Sequence, residues 1–174
     1  RTAQKCISAV QFIAIMRIMG LLLILFSTSM LPPIAVSLLY QDAASKAFAI
    51  ALLITIISGL TLWLPVSRER REIRVRDGFV IVTLFWVLLA LFGSLPFVIA
   101  DQPNISYTDA FFESISGLTT TGATVLSGID QLPESIRYYR QQLQWLGGMG
   151  IVVLAVAVMP MLGVGGMQLY RAET

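Results

Sequence analysis

A run of threonines around one glycine is the part of this sequence whose residue types could do chemistry. Residues 119–124 read Thr-Thr-Thr-Gly-Ala-Thr. Because β-branched residues and glycine disfavour helix, the backbone carbonyl groups here would not be used up by helical hydrogen bonds. Rings of free carbonyls that replace a hydration shell hold dehydrated cations. The pattern therefore indicates a cation-binding loop or, on composition alone, a plain turn between two helices.

A short amphipathic segment and two long apolar segments surround this loop. Residues 108–118 are too few to cross a bilayer, which needs about 20 apolar residues, and they fit a re-entrant helix. If its C-terminus points at the loop, that helix adds partial negative charge where a cation would bind. Residues 78–100 and 135–161 are each long enough to span the membrane. The predicted order is M1, pore helix, filter loop and M2, the unit from which cation channels and related transporters are assembled.

The rest of the chain has the composition of a membrane protein. Of its 174 residues, 56% are hydrophobic and 13% are charged, with a mean hydropathy of +0.79, which is too apolar for a soluble domain. Residues 11–40 and 47–64 form two further spans, with a break expected at the proline pair 32–33. The predicted fold is an all-α integral membrane protein in which a transmembrane hairpin, 1–66, precedes one M1–pore helix–filter–M2 repeat at 78–166.

Basic residues predict how the chain is oriented. Residues 67–77 contain five arginines, two glutamates and one aspartate. The positive-inside rule makes this segment a cytoplasmic Arg-rich loop, so that the N-terminus and residues 167–174 are cytoplasmic as well. The same arginines could also bind phosphates or anionic lipid, and membrane lipid is in any case an expected contact.

Composition also excludes several classes of function. The net charge of +2 gives no indication of nucleic-acid binding. The absence of histidine removes His-based catalysis and His metal sites, and one cysteine, Cys6, cannot form an intrachain disulfide. No nucleophile stands beside a base, and no phosphate-binding loop is found. The chain is therefore predicted not to be an enzyme and to need no organic cofactor.

Two features near the loop each have two interpretations. Glu113 is a carboxylate at membrane depth, which is costly unless it is paired, and Arg137 and Arg140 are candidate partners. It could form an ion pair that braces the pore helix, or it could bind the cation directly. The glycines in residues 147–150 could allow close helix packing or could form a gating hinge.

Two longer stretches carry a resemblance to a known family. FFESISGLTTTGATVLSGIDQLP, at 111–133, and RQQLQWLGGMGIVVLAVAVMPMLGVGGMQLYRAE, at 140–173, resemble the first pore repeat of the TrkH/TrkG family of bacterial potassium uptake proteins. The hairpin resembles that family's extra N-terminal domain. The resemblance implies a K+ transporter of the bacterial inner membrane with four M1-P-M2 repeats in one polypeptide. It also implies a homodimer with a cytosolic nucleotide-binding partner, TrkA, for which residues 67–77 and 168–171 are candidate docking surfaces.

The resemblance further implies where K+ would bind. It puts the filter at Thr120, Thr121, Gly122 and Ala123, through backbone carbonyls, with those of Thr120 and Thr121 favoured as ligands. A filter ring needs four loops and this chain has one, so either the rest of the ring is absent or four chains assemble. We expect a fragment of a longer transporter, with 167–174 as its truncated cytoplasmic end. The alternative is a non-conducting membrane assembly subunit or fragment whose Thr/Gly loop is only a structural turn.

Overall fold

The computed structural model describes residues 2–67 and 75–158. Within these residues the chain is helical and contains no strand, in agreement with the predicted all-α class. The helices are α1 (Thr2–Ser27), α2 (Leu31–Tyr40), α3 (Ser45–Trp63), α4 (Val75–Gly93), α5 (Leu95–Ile99), α6 (Tyr107–Leu118) and α7 (Glu134–Val158). Short 3₁₀ turns lie at Thr28–Met30, Leu64–Val66 and Ile129–Gln131.

Three segments of the described residues are long and apolar enough to cross a membrane. They are Ile15–Tyr40, Ser45–Val66 and Val80–Ile99. The predicted fourth span, 135–161, begins within α7 and continues past Val158, beyond the described residues. Positions 68–74 of the Arg-rich loop and all of 167–174 also lie outside them, so the cytoplasmic placement of both segments stays a prediction.

The first span is broken at the proline pair, as predicted. α1 ends at Ser27, a 3₁₀ turn follows, and the prolines occupy the first turn of α2. Pro33 has no N–H, so it cannot donate to the carbonyl of Ser29 four residues earlier. The side-chain amide of Gln142 in α7 donates to that oxygen instead, at 2.7 Å. A side chain of α7 therefore satisfies the carbonyl that the proline leaves without a donor.

Tyr139 of α7 joins the hairpin to the pore repeat. It is fully buried, and its hydroxyl donates to the carbonyl of Gly93, the last residue of α4, at 3.0 Å. Its ring centroid lies 5.2 Å from that of Phe48 in α3 and 5.4 Å from that of Phe97 in α5. One side chain thus packs against three other helices, and aromatic pairs at these distances add to the stability gained from burial.

Asp42, in the connection between α2 and α3, caps the N-terminus of α7. Its Oδ2 accepts a hydrogen bond from the backbone N–H of Ser135 at 2.9 Å, and its Oδ1 accepts from the Ala44 N–H at 3.2 Å and from the Ser37 hydroxyl. Burial raises the pKa of Asp42, but these hydrogen bonds outweigh burial and hold the pKa below its ordinary value. The first N–H groups of a helix have no intrahelical partner, so the carboxylate fixes where α7 begins.

Candidate functional site: a Thr/Gly loop held by the pore helix

The short helix α6 begins with a side-chain cap. Ser106 precedes the helix, and its hydroxyl oxygen accepts a hydrogen bond from the Asp109 N–H at 3.2 Å. The acidic side chain of Asp109 lies in the first turn, where it is favoured by the helix dipole. The opposite end of α6, at Leu118, leads directly into the Thr/Gly loop, so the partial negative end of the helix lies beside that loop.

The loop leaves the helix through residues in the left-handed region. Thr120 has φ +57° and Gly122 has φ +73°. A β-branched residue rarely adopts a positive φ, and strained backbone of this kind concentrates at functional sites. A Cβ atom added at Gly122 would meet nothing within 4 Å, so the backbone angle, and not the available space, is what favours glycine there.

Ser116 of α6 holds the middle of the loop. Its carbonyl accepts hydrogen bonds from the N–H groups of Thr121, at 3.0 Å, and Gly122, at 3.4 Å. Its hydroxyl donates to the carbonyl of Ala123 at 2.7 Å. Within the described part of the chain, no donor is bonded to the carbonyl oxygens of Thr120, Thr121 and Gly122. Three of the four predicted ligand residues therefore have free carbonyls, whereas the Ala123 carbonyl already has one partner.

Glu113 holds the residues that follow. Its side chain is only 2% exposed, and Oε2 accepts from Nε of Arg140, itself 10% exposed, at 3.0 Å. Oε1 accepts from the N–H groups of Val125, at 2.7 Å, and Leu126, at 3.4 Å, and from the hydroxyl of Thr124. The predicted ion pair with Arg140 is confirmed. Because protein donors occupy both carboxylate oxygens, the contacts favour a brace over a direct cation ligand.

Arg137, the other predicted partner of Glu113, pairs elsewhere. Its guanidinium contacts Glu134, three residues earlier on α7, and both side chains are partly exposed. The prediction for Arg137 is therefore wrong, because a carboxylate on the same helical face lies closer.

α7 approaches the end of the pore helix through a glycine. A Cβ added at Gly147 would lie 2.0 Å from the carbonyl oxygen of Leu118, and one at Gly148 would lie 3.8 Å from Cγ2 of Thr120. The first distance is impossible for any residue with a side chain. Close packing, one of the two roles expected of these glycines, is therefore confirmed at Gly147.

Comparisons with known proteins show the family to which the chain belongs. The model of the TrkH family of cation transport proteins matches residues 44–174. The chain belongs to the TrkH family. The Trk system potassium uptake protein TrkH of Vibrio parahaemolyticus is 60% identical over 163 residues, which cover 94% of this chain and 34% of that protein. The Escherichia coli protein TrkG, which carries the same description, is 43% identical over 88% of this chain and 32% of its own length.

The fold agrees with a solved member of the TrkH family. The crystal structure of the potassium transporter TrkH from Vibrio parahaemolyticus superposes with a TM-score of 0.84 at 58% identity, over 90% of this chain and 34% of that one. The predicted all-α membrane fold, a hairpin followed by α4, α6, the Thr/Gly loop and α7, is thereby confirmed for the described residues. The chain spans about a third of the length of the relatives it matches. Those relatives are transport proteins, which agrees with the prediction that the chain is not an enzyme.

Sequence reasoning missed the role of Ser116. It lies three residues after Glu113, so the two side chains share one face of α6, and both bond to the loop. That spacing was visible in the sequence as two polar residues three positions apart in an amphipathic segment. A helix that holds an irregular loop needs polar groups on the face beside that loop.

Proposed function

We propose that this chain supplies one of the four pore loops of a bacterial potassium uptake protein. K+ would cross the inner membrane between backbone carbonyls of Thr120, Thr121, Gly122 and Ala123, with those of Thr120 and Thr121 as the favoured ligands. The observation that carries the proposal is the free state of the first three carbonyls in an exposed loop at the C-terminal end of α6. The description of the relatives as potassium uptake proteins supports the choice of ion.

The geometry suits a dehydrated cation. Free carbonyl dipoles can replace the water that the ion sheds, and the C-terminal end of α6 adds partial negative charge beside them. A carbonyl oxygen has two lone pairs, so Ala123 can accept the Ser116 hydroxyl and still face an ion. The chain's part in selection is therefore to fix the positions of these oxygens.

The wider assembly is part of the same proposal. A complete ring needs three further loops, which the other repeats of a longer polypeptide would provide. The family resemblance further implies a homodimer, a cytoplasmic N-terminus and a TrkA-type nucleotide-binding partner in the cytosol. Charge reversal at Arg70 and Arg71 would test whether the Arg-rich loop takes part in docking that partner.

The experiment uses a chimaera in which this chain replaces the matching third of Vibrio parahaemolyticus TrkH. K+ and Na+ uptake are measured in a K+-transport-deficient bacterium for the chimaera, the chain alone and the chimaera with Gly122→Ser. We expect K+ uptake by the chimaera, none by the chain alone and relaxed selectivity in the variant. Serine at φ +73° costs about 1–2 kcal/mol of backbone strain, which the loop relieves by moving its carbonyls.

Gly128→Ser is the matched control. Gly128 also has a positive φ, +65°, and a Cβ there would come no closer than 3.8 Å to any neighbour, but it lies beyond the loop. The chimaera with Gly128→Ser should lose similar stability and keep its K+/Na+ selectivity. If Gly122→Ser keeps the selectivity of the chimaera at equal amounts of folded protein, the loop is a structural turn and the chain is an assembly subunit. If the chain alone takes up K+, it forms its own ring of four, and the single-polypeptide arrangement is wrong.

A further inference from the structure

We propose that Glu113 is a positioning residue for ion selection, acting through Thr124, Val125 and Leu126 on the carbonyls that precede them. The inference rests on the proposed function. It assigns to a carboxylate that does not touch the ion a share in deciding which ion passes.

The first step is the double use of the carboxylate. A charge that is 2% exposed needs a counter-charge, and Arg140 provides it through one oxygen. The remaining lone pairs of a buried carboxylate also need donors, which any neighbouring element could supply. Here they come from the loop's exit, where three consecutive residues donate two backbone N–H groups and one hydroxyl to the other oxygen. Glu113 therefore connects α7, α6 and the loop at one point.

The second step is the way the loop is attached. Ser116 bonds to Thr121, Gly122 and Ala123, and Glu113 bonds to the three residues that follow. Both attachments come from one face of α6. Between the helix end and the Glu113 attachment the backbone follows no regular pattern, so the positions of its carbonyls depend on both fixed ends. We expect loss of the Glu113 bonds to move the carbonyls of Gly122 and Ala123 while the helices stay in place.

The third step is that the effect comes from geometry and not from attraction. The negative charge of Glu113 lies 3.0 Å from the Arg140 Nε, so the pair is neutral and exerts little force on a distant ion. Hydrogen bonds from backbone N–H groups to a carboxylate are stronger than those to a neutral amide. The charge thus strengthens the attachment of the loop without adding to the charge of the pore.

The test measures initial uptake of K+, Rb+ and Na+ by the chimaera at equal amounts of folded protein. In Glu113→Gln, one end of the amide must present its NH₂ either to Arg140 or to the loop's donors, so one set of contacts breaks. We expect the K+/Na+ uptake ratio to fall about tenfold, since a hydrogen bond to a charged group is lost. Thr124→Val removes the hydroxyl, which donates to Glu113 and also accepts from the Leu126 N–H at 3.0 Å. It keeps the side-chain shape and should lower the ratio about threefold.

A second substitution should rescue the first. Arg140 makes its contact through Nε, which is the fourth atom along the side chain, as is the amide nitrogen or oxygen of glutamine. In the double variant Glu113→Gln, Arg140→Gln, the oxygen at 140 can accept from the NH₂ at 113, which frees the oxygen at 113 for the loop. The K+/Na+ ratio should return toward that of the chimaera. Glu134→Gln is the matched control, because it removes a carboxylate from an arginine pair away from the loop and should leave the ratio unchanged.

Three outcomes overturn or support the inference separately from the proposed function. If the Glu113 and Thr124 variants transport more slowly with an unchanged ion ratio while Gly122→Ser alters it, Glu113 only stabilises the fold and the inference is wrong. If Gly122→Ser has no effect either, the proposed function itself fails. If the ratio falls in both single variants and recovers in the double variant, positioning by Glu113 is supported. Should Glu113→Gln not fold, Thr124→Val alone decides by the same criterion.

Discussion

Two of the interruptions of helical hydrogen bonding within the described residues, the proline pair and the Thr/Gly loop, end differently. At the proline pair, the carbonyl of Ser29 loses its usual donor and receives the Gln142 amide in its place. In the Thr/Gly loop, the carbonyls of Thr120, Thr121 and Gly122 receive no donor from the described residues. Irregular backbone is therefore not by itself an indication of a site. A site is indicated where the carbonyls that lose their helical donors receive no other donor from the protein.

The difference arises from how each sequence breaks the helix. The backbone stays right-handed at Ser27 and Met30, so the proline pair removes donors without turning the chain. One side chain from α7 can then reach the free oxygen. The Thr/Gly loop turns through positive φ at Thr120 and Gly122, which ends the helical path and leaves its carbonyls in exposed residues. Within the described residues, no side chain donates to the carbonyls of Thr120, Thr121 and Gly122.

The largest effect is expected at the contact between α7 and the C-terminal end of α6, beside the Thr/Gly loop. Gly147→Ala would place a Cβ 2.0 Å from the Leu118 carbonyl oxygen, an overlap that costs at least about 1–3 kcal/mol and separates α7 from the pore helix. We expect loss of folded chimaera by size-exclusion chromatography and loss of K+ uptake. Gly148→Ala, with 3.8 Å of clearance, should behave like the unsubstituted chimaera. Normal uptake by Gly147→Ala would show that α7 does not seat the loop in this way.

The second prediction concerns the satisfied carbonyl. Gln142→Leu leaves the Ser29 carbonyl without a partner, which should lower the free energy of unfolding by about 1–3 kcal/mol. Pro33→Ala supplies a backbone N–H in helical register with Ser29, so the double variant should recover most of the loss. A double-mutant cycle of thermal unfolding measures this coupling. Additive losses of stability in the double variant would show that Gln142 does not replace the missing N–H of Pro33. A changed K+/Na+ uptake ratio in either variant would show that the proline break also affects ion selection.

The smallest effect is expected at Asp42. It caps α7, the helix that contacts the proline break through Gln142 and Glu113 through Arg140. Hydrogen bonds hold its pKa below the ordinary value of 3.8, so its carboxylate stabilises the fold above that pH, and the contribution disappears as pH falls through the folded-state pKa. Asp42→Asn should therefore lower the unfolding temperature at neutral pH, with the difference closing in acid below pH 3.8. Thermal unfolding between neutral pH and pH 3 measures it. A difference that is independent of pH would mean that charge at Asp42 plays no part.

Much of this arrangement could be predicted from the sequence, because it follows from local pattern. The length of the apolar segments indicated the hairpin, and a short polar-faced segment before a Thr/Gly run indicated α6 and its loop. The pair between Glu113 and Arg140 was predictable because a buried carboxylate needs a cation, although the same reasoning wrongly included Arg137.

The parts that could not be predicted depend on distant residues meeting. Asp42 and Ser135 bond across 93 positions of sequence, and Gln142 reaches Ser29 across 113. Nothing in the local pattern around Asp42 marks it as the cap of a helix so far along the chain. The use of the Ala123 carbonyl by Ser116 was equally hidden, because it depends on how the loop folds back along α6.

Rubidium binding to the chimaera tests most directly whether the free carbonyls hold the ion. Crystals grown with Rb+ in place of K+ would show ordered ions by anomalous scattering. We predict a peak beside the carbonyl oxygens of Thr120, Thr121 and Gly122, and its loss in Gly122→Ser. Rb+ bound elsewhere along the pore, with these carbonyls turned away from it, would contradict the assignment of this loop as the filter.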